Sequence, residues 1–162
     1  MSDDAHVGNV WNAIFAVGIL LFLLAAALLY VDHACDQRVA DNTRNFVNEC
    51  CGTGKISAQN YEQYARKVAG LGNYEIRLEH KALVVYGSSG HVDSTYEGYY
   101  NEQILDYMFS GNTNENYEMK SGDYFTITVI KRGSDFAALW NDLTTSSSNG
   151  LVVTDYGNVV GD

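Results

Sequence analysis

Residues 10–31 read VWNAIFAVGILLFLLAAALLYV, and the rest of the chain is organised around this stretch. From Ala13 to Val31 no side chain is charged or strongly polar. A helix of about 20 apolar residues spans a bilayer core, and a backbone in lipid must hydrogen-bond within its own segment. Trp11 and Tyr30 lie near the two ends, where amphipathic aromatic rings favour the water–lipid interface. The stretch predicts a single transmembrane helix.

The stretch has two other interpretations, a cleaved signal peptide and a buried core helix. A cleaved signal peptide has a basic leader and an apolar segment of about 7–15 residues. Residues 1–9, MSDDAHVGN, contain no Lys or Arg, and the apolar run that follows is longer than such a segment. A buried core helix would need a much larger domain to cover it. We therefore expect a short acidic leader over residues 1–9 and a retained anchor over residues 10–31.

Length and charge limit the function classes. The chain has 162 residues, with 10 Lys and Arg against 20 Asp and Glu and a formal charge of -10. Residues 32–162 suffice for one soluble head domain with a modest core. Binding to nucleic acid or to anionic lipid depends on clustered Lys and Arg, so this balance argues against both. Contact with membrane lipid is expected through residues 10–31.

Three cysteines, Cys35, Cys50 and Cys51, lie in one short region. They form no CxxC pair and there is no second cluster, so the spacing does not indicate a zinc site. Adjacent cysteines such as Cys50 and Cys51 rarely bridge each other, because the geometry is strained. Two interpretations stay open: small buried apolar residues, or an intermolecular disulfide.

The first helix is predicted to continue past the apolar stretch. No Gly or Pro interrupts residues 32–51. Apolar or small side chains recur there at spacings of 4, 4, 3 and 4, namely Cys35, Val39, Thr43, Phe46 and Cys50. Such a stripe lies along one side of a helix and needs a domain to pack against. We expect one long helix that ends near Gly52 and Gly54.

The remaining pattern alternates between helical and strand periods. Ser57 can cap a helix over residues 58–69, and a second short helix is predicted over residues 101–109. A third helix is predicted after Ser134, with Phe136, Leu139, Trp140 and Leu143 on one face. Strands are predicted at 74–86, 123–132 and 151–160, with a bend around His80–Ala82, a break at Gly157 and a loop or crossover over 87–100. The fold class is therefore α+β, with a three-stranded sheet packed against the lower half of the long helix.

A search for catalytic chemistry finds no convincing site. Gly54 and Lys55 suggest a phosphate loop, but Glu49 occupies the position of its first glycine. His80, His91 and Asp93 are the residue types of a metal site, but no spacing fixes their geometry. We expect no catalytic, cofactor-binding or metal residues. An enzyme would instead show a pocket in which His80 or His91 meets a carboxylate or a cysteine.

Three of the 12 tyrosines, Tyr96, Tyr99 and Tyr100, are grouped in the predicted loop. Exposed aromatic side chains act as anchors at protein interfaces. The alternative is that these tyrosines pack on their own domain. They are the candidate contacts for a partner.

Several short motifs resemble a known family. They are NFVNE at 45–49, GKIS at 54–57, NYE at 60–62, LGNYEI at 71–76, GDYF at 122–125 and YGNVV at 156–160. Together with the N-terminal apolar helix, they resemble the TadE-like, type IV pilin-like membrane proteins of Gram-positive bacteria. The resemblance implies a pilin-like head and a minor pilin or pseudopilin that acts by assembly with other pilus or secretion-apparatus subunits. A membrane-tethered protein-binding module is the alternative, and no small-molecule substrate is evident.

Two features depart from the pilin pattern. Prepilin processing recognises a Gly followed five residues later by Glu; Gly8 is a candidate processing position, but Ala13 stands where Glu is required. Arg38 and Arg44 follow the apolar stretch while the leader has no basic residue, which by the positive-inside rule places the head in the cytoplasm. The resemblance places the head outside the cytoplasm, and this is the orientation that we expect.

Overall fold

The structure is a computed structural model that describes residues 3–88, 91–110, 116–132, 150 and 152–160. The chain forms two compact units, whose boundary in the first helix falls between Cys35 and Asp36. The helix predicted after Ser134 and its four core residues lie outside the described part of the chain.

Helix α1 runs from Asp3 to Thr53. Its segment Val10–Thr53 contains a window with a mean hydropathy of 2.8, none of which is buried. By length and composition this window can cross a membrane, and a signal sequence near an N-terminus would meet the same test. Trp11 and Tyr30 are both largely exposed. The first unit therefore contains one long, exposed apolar helix.

The second half of α1 belongs to the core of the second unit. Four of the five members of the predicted stripe are buried, namely Val39, Thr43, Phe46 and Cys50, whereas Cys35 is only half-buried. Gly54 has a φ of 66°, a left-handed conformation that glycine adopts without strain, and the helix ends just before it. This part of α1 is therefore amphipathic, and its apolar side packs in the core of the head.

The head contains more strands than the sequence predicted. Its other helices are α2 (Ala58–Ala69) and α3 (Asn101–Phe109), and its strands are β1 (Lys55–Ile56), β2 (Tyr74–Ser88), β3 (His91–Tyr100), β4 (Tyr117–Glu118), β5 (Tyr124–Lys131) and β6 (Val152–Asn158). Antiparallel pairing gives a four-stranded sheet in the order β3-β2-β5-β6, and β1 pairs with β4. The α+β class is confirmed and the three-stranded sheet is wrong. Residues 80–82, where a bend is predicted, lie within the continuous strand β2.

Residues 91–100, predicted as a loop or crossover, form strand β3. β3 pairs with β2 from Glu79 opposite Tyr100 to Val85 opposite Ser94 and beyond. Residues 93–98 are exposed throughout, so neither face of β3 needs the alternating apolar pattern by which a strand is recognised in a sequence. Such an edge strand is specified mainly by its backbone pairing with β2, so its own residues show no strand pattern.

One face of the sheet forms the core with α1. Leu78, Phe125, Ile127 and Val129 lie on this inner face and are buried. Asp36 on α1 accepts a hydrogen bond of 2.6 Å from the Tyr74 hydroxyl and contacts the Lys131 ammonium at 3.2 Å. Side chains on the opposite, outer face include exposed tyrosines at positions 96, 100, 124 and 156.

Gly157 does not break β6; it lies opposite Phe125 within the strand. A Cβ atom placed on Gly157 would lie 2.9 Å from the Cys51 sulfur and 3.5 Å from Val47. The glycine therefore allows a strand to approach the helix closely, which is the other meaning of an isolated glycine in a strand.

We expect Gly157→Val to destabilise the head by about 1–3 kcal/mol, because the added side chain overpacks the contact with Cys51. The control is Gly87→Val in β2, where an added Cβ meets no heavy atom within 4 Å. Chemical unfolding of the full chain in detergent measures both variants. If Gly157→Val and Gly87→Val had equal free energies of unfolding, the close contact between Gly157 and Cys51 would be contradicted.

Candidate functional site

The head contains a groove between the β2–β3 hairpin, α3 and the segment around β4. Its volume is about 730 Å³, within the usual range for ligand pockets. Apolar side chains of β2 and aromatic rings line it together with several charged groups, among them Ala82, Val84, Glu97, Tyr99, Tyr107, Tyr117, Glu118 and Lys120. We call this cavity the hairpin groove.

A buried histidine lies at the base of the hairpin groove. His80 is only 3% exposed, and its Nε2 lies 2.9 Å from Asp123 Oδ2. Its Nδ1 lies 2.8 Å from the Tyr117 hydroxyl. A carboxylate can only accept, so Nε2 carries a proton and donates it to Asp123. In the neutral ring, Nδ1 then accepts from the Tyr117 hydroxyl.

Asp123 is held by backbone as well as by histidine. Its Oδ1 accepts from the Leu83 N–H at 2.8 Å, and its Oδ2 accepts from the Lys120 N–H at 2.7 Å. Burial by itself raises the pKa of Asp123, but these two N–H groups and the His80 ring together outweigh it and hold the pKa below its usual value. The carboxylate therefore joins β2 to the turn that precedes β5.

Tyr117 stays a phenol at neutral pH. Burial, reinforced by the negative charge of Asp123 and by neighbouring tyrosines, raises the pKa of Tyr117 to about 12. Its ring packs edge-on against His80 at 5.5 Å and against Tyr107 at 5.6 Å, both measured between ring centroids. Tyr99 stacks on the His80 ring with 5.7 Å between ring centroids. Four aromatic rings thus form a continuous row along the groove.

His80 meets a carboxylate, Asp123, beside a cavity, which is the arrangement expected above for an enzyme. Here both ring nitrogens of His80 are bonded within the protein. No buried side-chain nitrogen or oxygen in the described ranges lacks a hydrogen-bond partner. These two bonds fix the orientation of the imidazole ring and of the two groups that it contacts. The geometry supports a positioning network that holds the groove's rings and backbone in place.

The three candidate partner tyrosines do not lie together. Successive side chains of a strand point to opposite faces, so Tyr96 and Tyr100 share the outer face of the sheet and Tyr99 lies on the inner face beside His80. Tyr96 packs edge-on against Tyr124 at 5.3 Å, and Tyr100 is 60% exposed. The predicted cluster is therefore divided between two places. Tyr96 and Tyr100 form an outer tyrosine face, and Tyr99 lines the hairpin groove.

The other residues considered for chemistry are separated. Asp93 pairs opposite Tyr86, six residues along β2 from His80, or about 20 Å. The side chain of His91 lies outside the described residues. Across the described ranges no group of three His, Cys, Asp or Glu side chains could hold a metal ion.

The cysteines are free thiols. Cys50 and Cys51 are buried in the core, which agrees with their interpretation as small apolar residues. Burial, with Asp155 as a second cause, raises the pKa of Cys51 to about 11, and burial also raises the pKa of Cys50. Both thiols are therefore protonated and poor nucleophiles at neutral pH.

Gly8, the candidate processing position, lies within helix α1.

Sequence reasoning missed Asp123 and Tyr117 as partners of His80. They lie 43 and 37 residues from it along the chain, and no local pattern connects the three. The signal that was available is Asp123 itself, a charged residue at the first position of the strand predicted over 123–132. Comparison with protein-family models, with curated proteins and with solved structures found no match.

Proposed function

We propose that this protein is a single-pass, membrane-anchored minor pilin-like or pseudopilin-like subunit of a pilus, tight-adherence or conjugative secretion apparatus. It acts by assembly, and the head lies outside the cytoplasm. The observation that carries the proposal is the change in burial along α1. None of its apolar window is buried, whereas Val39 and Phe46 farther along are buried in the head.

The burial contrast supports an anchor because none of the apolar window of α1 is buried. An exposed apolar surface of this length is unfavourable in water and favourable in lipid or against other apolar helices. The head, in turn, buries the stripe that follows. A helix that serves first as anchor and then as core, under an antiparallel sheet, agrees with the TadE-like resemblance. An adjacent gene for a secretion ATPase and one for a polytopic platform protein would further favour assembly.

Orientation can be tested by thiol labelling. Ser94 is exposed on β3, while Cys50 and Cys51 are buried and should not react. We expect Ser94→Cys, in a chain that also carries Cys35→Ser, to be labelled by a membrane-impermeant maleimide in intact cells. The matched control is Cys35→Ser alone, which should stay unlabelled. Labelling that requires permeabilised cells would place the head in the cytoplasm and contradict the proposal.

Retention of the anchor is tested by intact-mass measurement of the protein purified from membranes. We expect the mature chain to contain residues 10–31 and to resist extraction by alkaline carbonate, because about 20 apolar residues hold it in the bilayer. A mature chain that begins after residue 31 would identify the segment as a signal sequence.

A membrane-tethered protein-binding module is the second candidate, and the outer tyrosine face favours it. Tyr96 and Tyr100 are both substantially exposed and lie on an edge strand. Replacing both by Ala should weaken capture of a partner while the circular dichroism of the head stays unchanged. Tyr86→Ala, an exposed tyrosine nearer the tip of the hairpin, serves as the control.

A further inference from the structure

We propose that the hairpin groove binds an alkylammonium group. This inference does not depend on assembly or on the membrane anchor. Its first support is a row of four rings whose neighbouring centroids are 5.5 to 5.7 Å apart. Tyr107 and Tyr99 form the accessible ends of this row, and the buried rings of Tyr117 and His80 lie between them and hold them in place. The negative faces of aromatic rings attract cations, and tetraalkylammonium and lysine-type groups are commonly held by several such rings.

The second support is charge. Glu97 and Glu118 line the groove and are exposed at its rim, with Asp123 behind them and Lys120 as the one cation among the lining residues. Within the described ranges Glu118 forms no ion pair. The nearby charge of Glu97 is the main cause that raises the pKa of Tyr99, which indicates a negative potential inside the groove. A cationic ligand would therefore be drawn in.

The third support is the apolar surface beside the rings. Ala82 and Val84 lie on the inner face of β2, beyond the part of the strand that the core covers, and they line the groove. Methyl or methylene groups next to an ammonium would contact them. A bare divalent ion would instead require several converging oxygen ligands, and the described residues contain no such group. The groove therefore suits an organic cation such as an alkylammonium group better than a metal ion.

Two sources could supply this chemistry: a small quaternary amine, or a lysine side chain of a protein. The probes are choline chloride and N-acetyl-lysine N-methylamide. The neutral control is 3,3-dimethylbutan-1-ol, which has the shape of choline without its charge. Each is titrated into the full chain in a maltoside detergent, which contains no ammonium group, and binding is followed by NMR chemical shifts or calorimetry.

We expect at least one of the two ammonium probes to bind saturably, and about tenfold more tightly than the neutral alcohol. Tighter binding of choline would indicate a small quaternary amine, and tighter binding of the lysine compound a protein side chain; both results support the proposal. If neither ammonium probe bound more tightly than the neutral alcohol, or if neither bound at all, the proposal would be overturned.

Variants connect the binding to named residues. We expect Tyr107→Leu to weaken binding about fivefold and Glu118→Gln about threefold, whereas Lys120→Gln should strengthen it about twofold by removing a competing charge. Tyr107, Glu118 and Lys120 are exposed, so these substitutions leave the core intact. The controls are Tyr156→Leu on the outer face and Glu102→Gln on α3, neither of which lines the groove. Affinities unchanged from those of the controls would overturn the assignment.

Discussion

Asp123→Asn is expected to lower the free energy of unfolding of the head by about 3 kcal/mol at neutral pH. The native carboxylate accepts from two backbone N–H groups and from His80. An asparagine amide can place its oxygen toward only one side of this set, so its NH₂ group faces a donor. Removing one partner of a buried charged network leaves the other groups without hydrogen bonds, and this lowers stability more than removing all of the partners together.

The pH dependence gives the same prediction a second readout. The folded pKa of Asp123 lies below its unfolded value, so its contribution is fully present above the unfolded pKa and is lost as pH falls through the folded pKa. The stability difference between wild type and variant should therefore be constant near neutrality and should shrink below about pH 4. Denaturant unfolding in detergent, followed by the near-ultraviolet circular dichroism of the tyrosines, measures it.

Asp106→Asn is the matched control, since Asp106 lies on α3 and is exposed. We expect it to change the free energy of unfolding by less than about 0.5 kcal/mol. If Asp123→Asn behaved like this control, or if its effect did not change with pH, the charged network at the groove would be unimportant to the fold.

The combined substitution Leu20→Arg and Leu24→Arg is expected to remove the protein from the membrane fraction. Both residues are exposed near the middle of the apolar stretch of α1. Each arginine at the centre of a spanning helix makes insertion less favourable by about 3 kcal/mol. The pair should convert a carbonate-resistant protein into one that is extracted or degraded.

Two controls separate charge from the loss of leucine. Leu20→Ala with Leu24→Ala should stay in the membrane, because alanine is tolerated in an apolar helix. Val10→Arg should also stay, since a basic side chain at the end of a span extends to the interface. Retention of the double-arginine variant in the carbonate pellet would argue that residues 10–31 do not enter lipid.

The sequence predicted the helices of the head well where their side chains have one buried face. The stripe in α1 and the cap of α2 by Ser57 are local features, and the Ser57 hydroxyl accepts from the Asn60 N–H at 3.3 Å. The strands at 74–88 and 124–131 were also recognised, since Leu78, Ile127 and Val129 alternate with polar residues. In these segments the structure is decided by side chains close in the sequence, three or four residues apart in the helices and two residues apart in the strands.

The sequence failed where a residue's surroundings come from elsewhere in the chain. β3 was interpreted as a loop because an exposed edge strand is specified by its pairing with β2. Gly157 was interpreted as a break because the Cys51 side chain that it accommodates lies on α1, more than a hundred residues earlier. A periodic pattern carries no information about such partners.

What the sequence by itself determined is the apolar helix, the amphipathic continuation of that helix, and the α+β class of the head. Only the tertiary structure brought His80, Tyr117 and Asp123 together and separated Tyr99 from Tyr96 and Tyr100. The physical reason is range. Periodicity and capping act between residues a few positions apart, whereas the groove and its hydrogen bonds exist only after β2, α3 and the turn before β5 have packed.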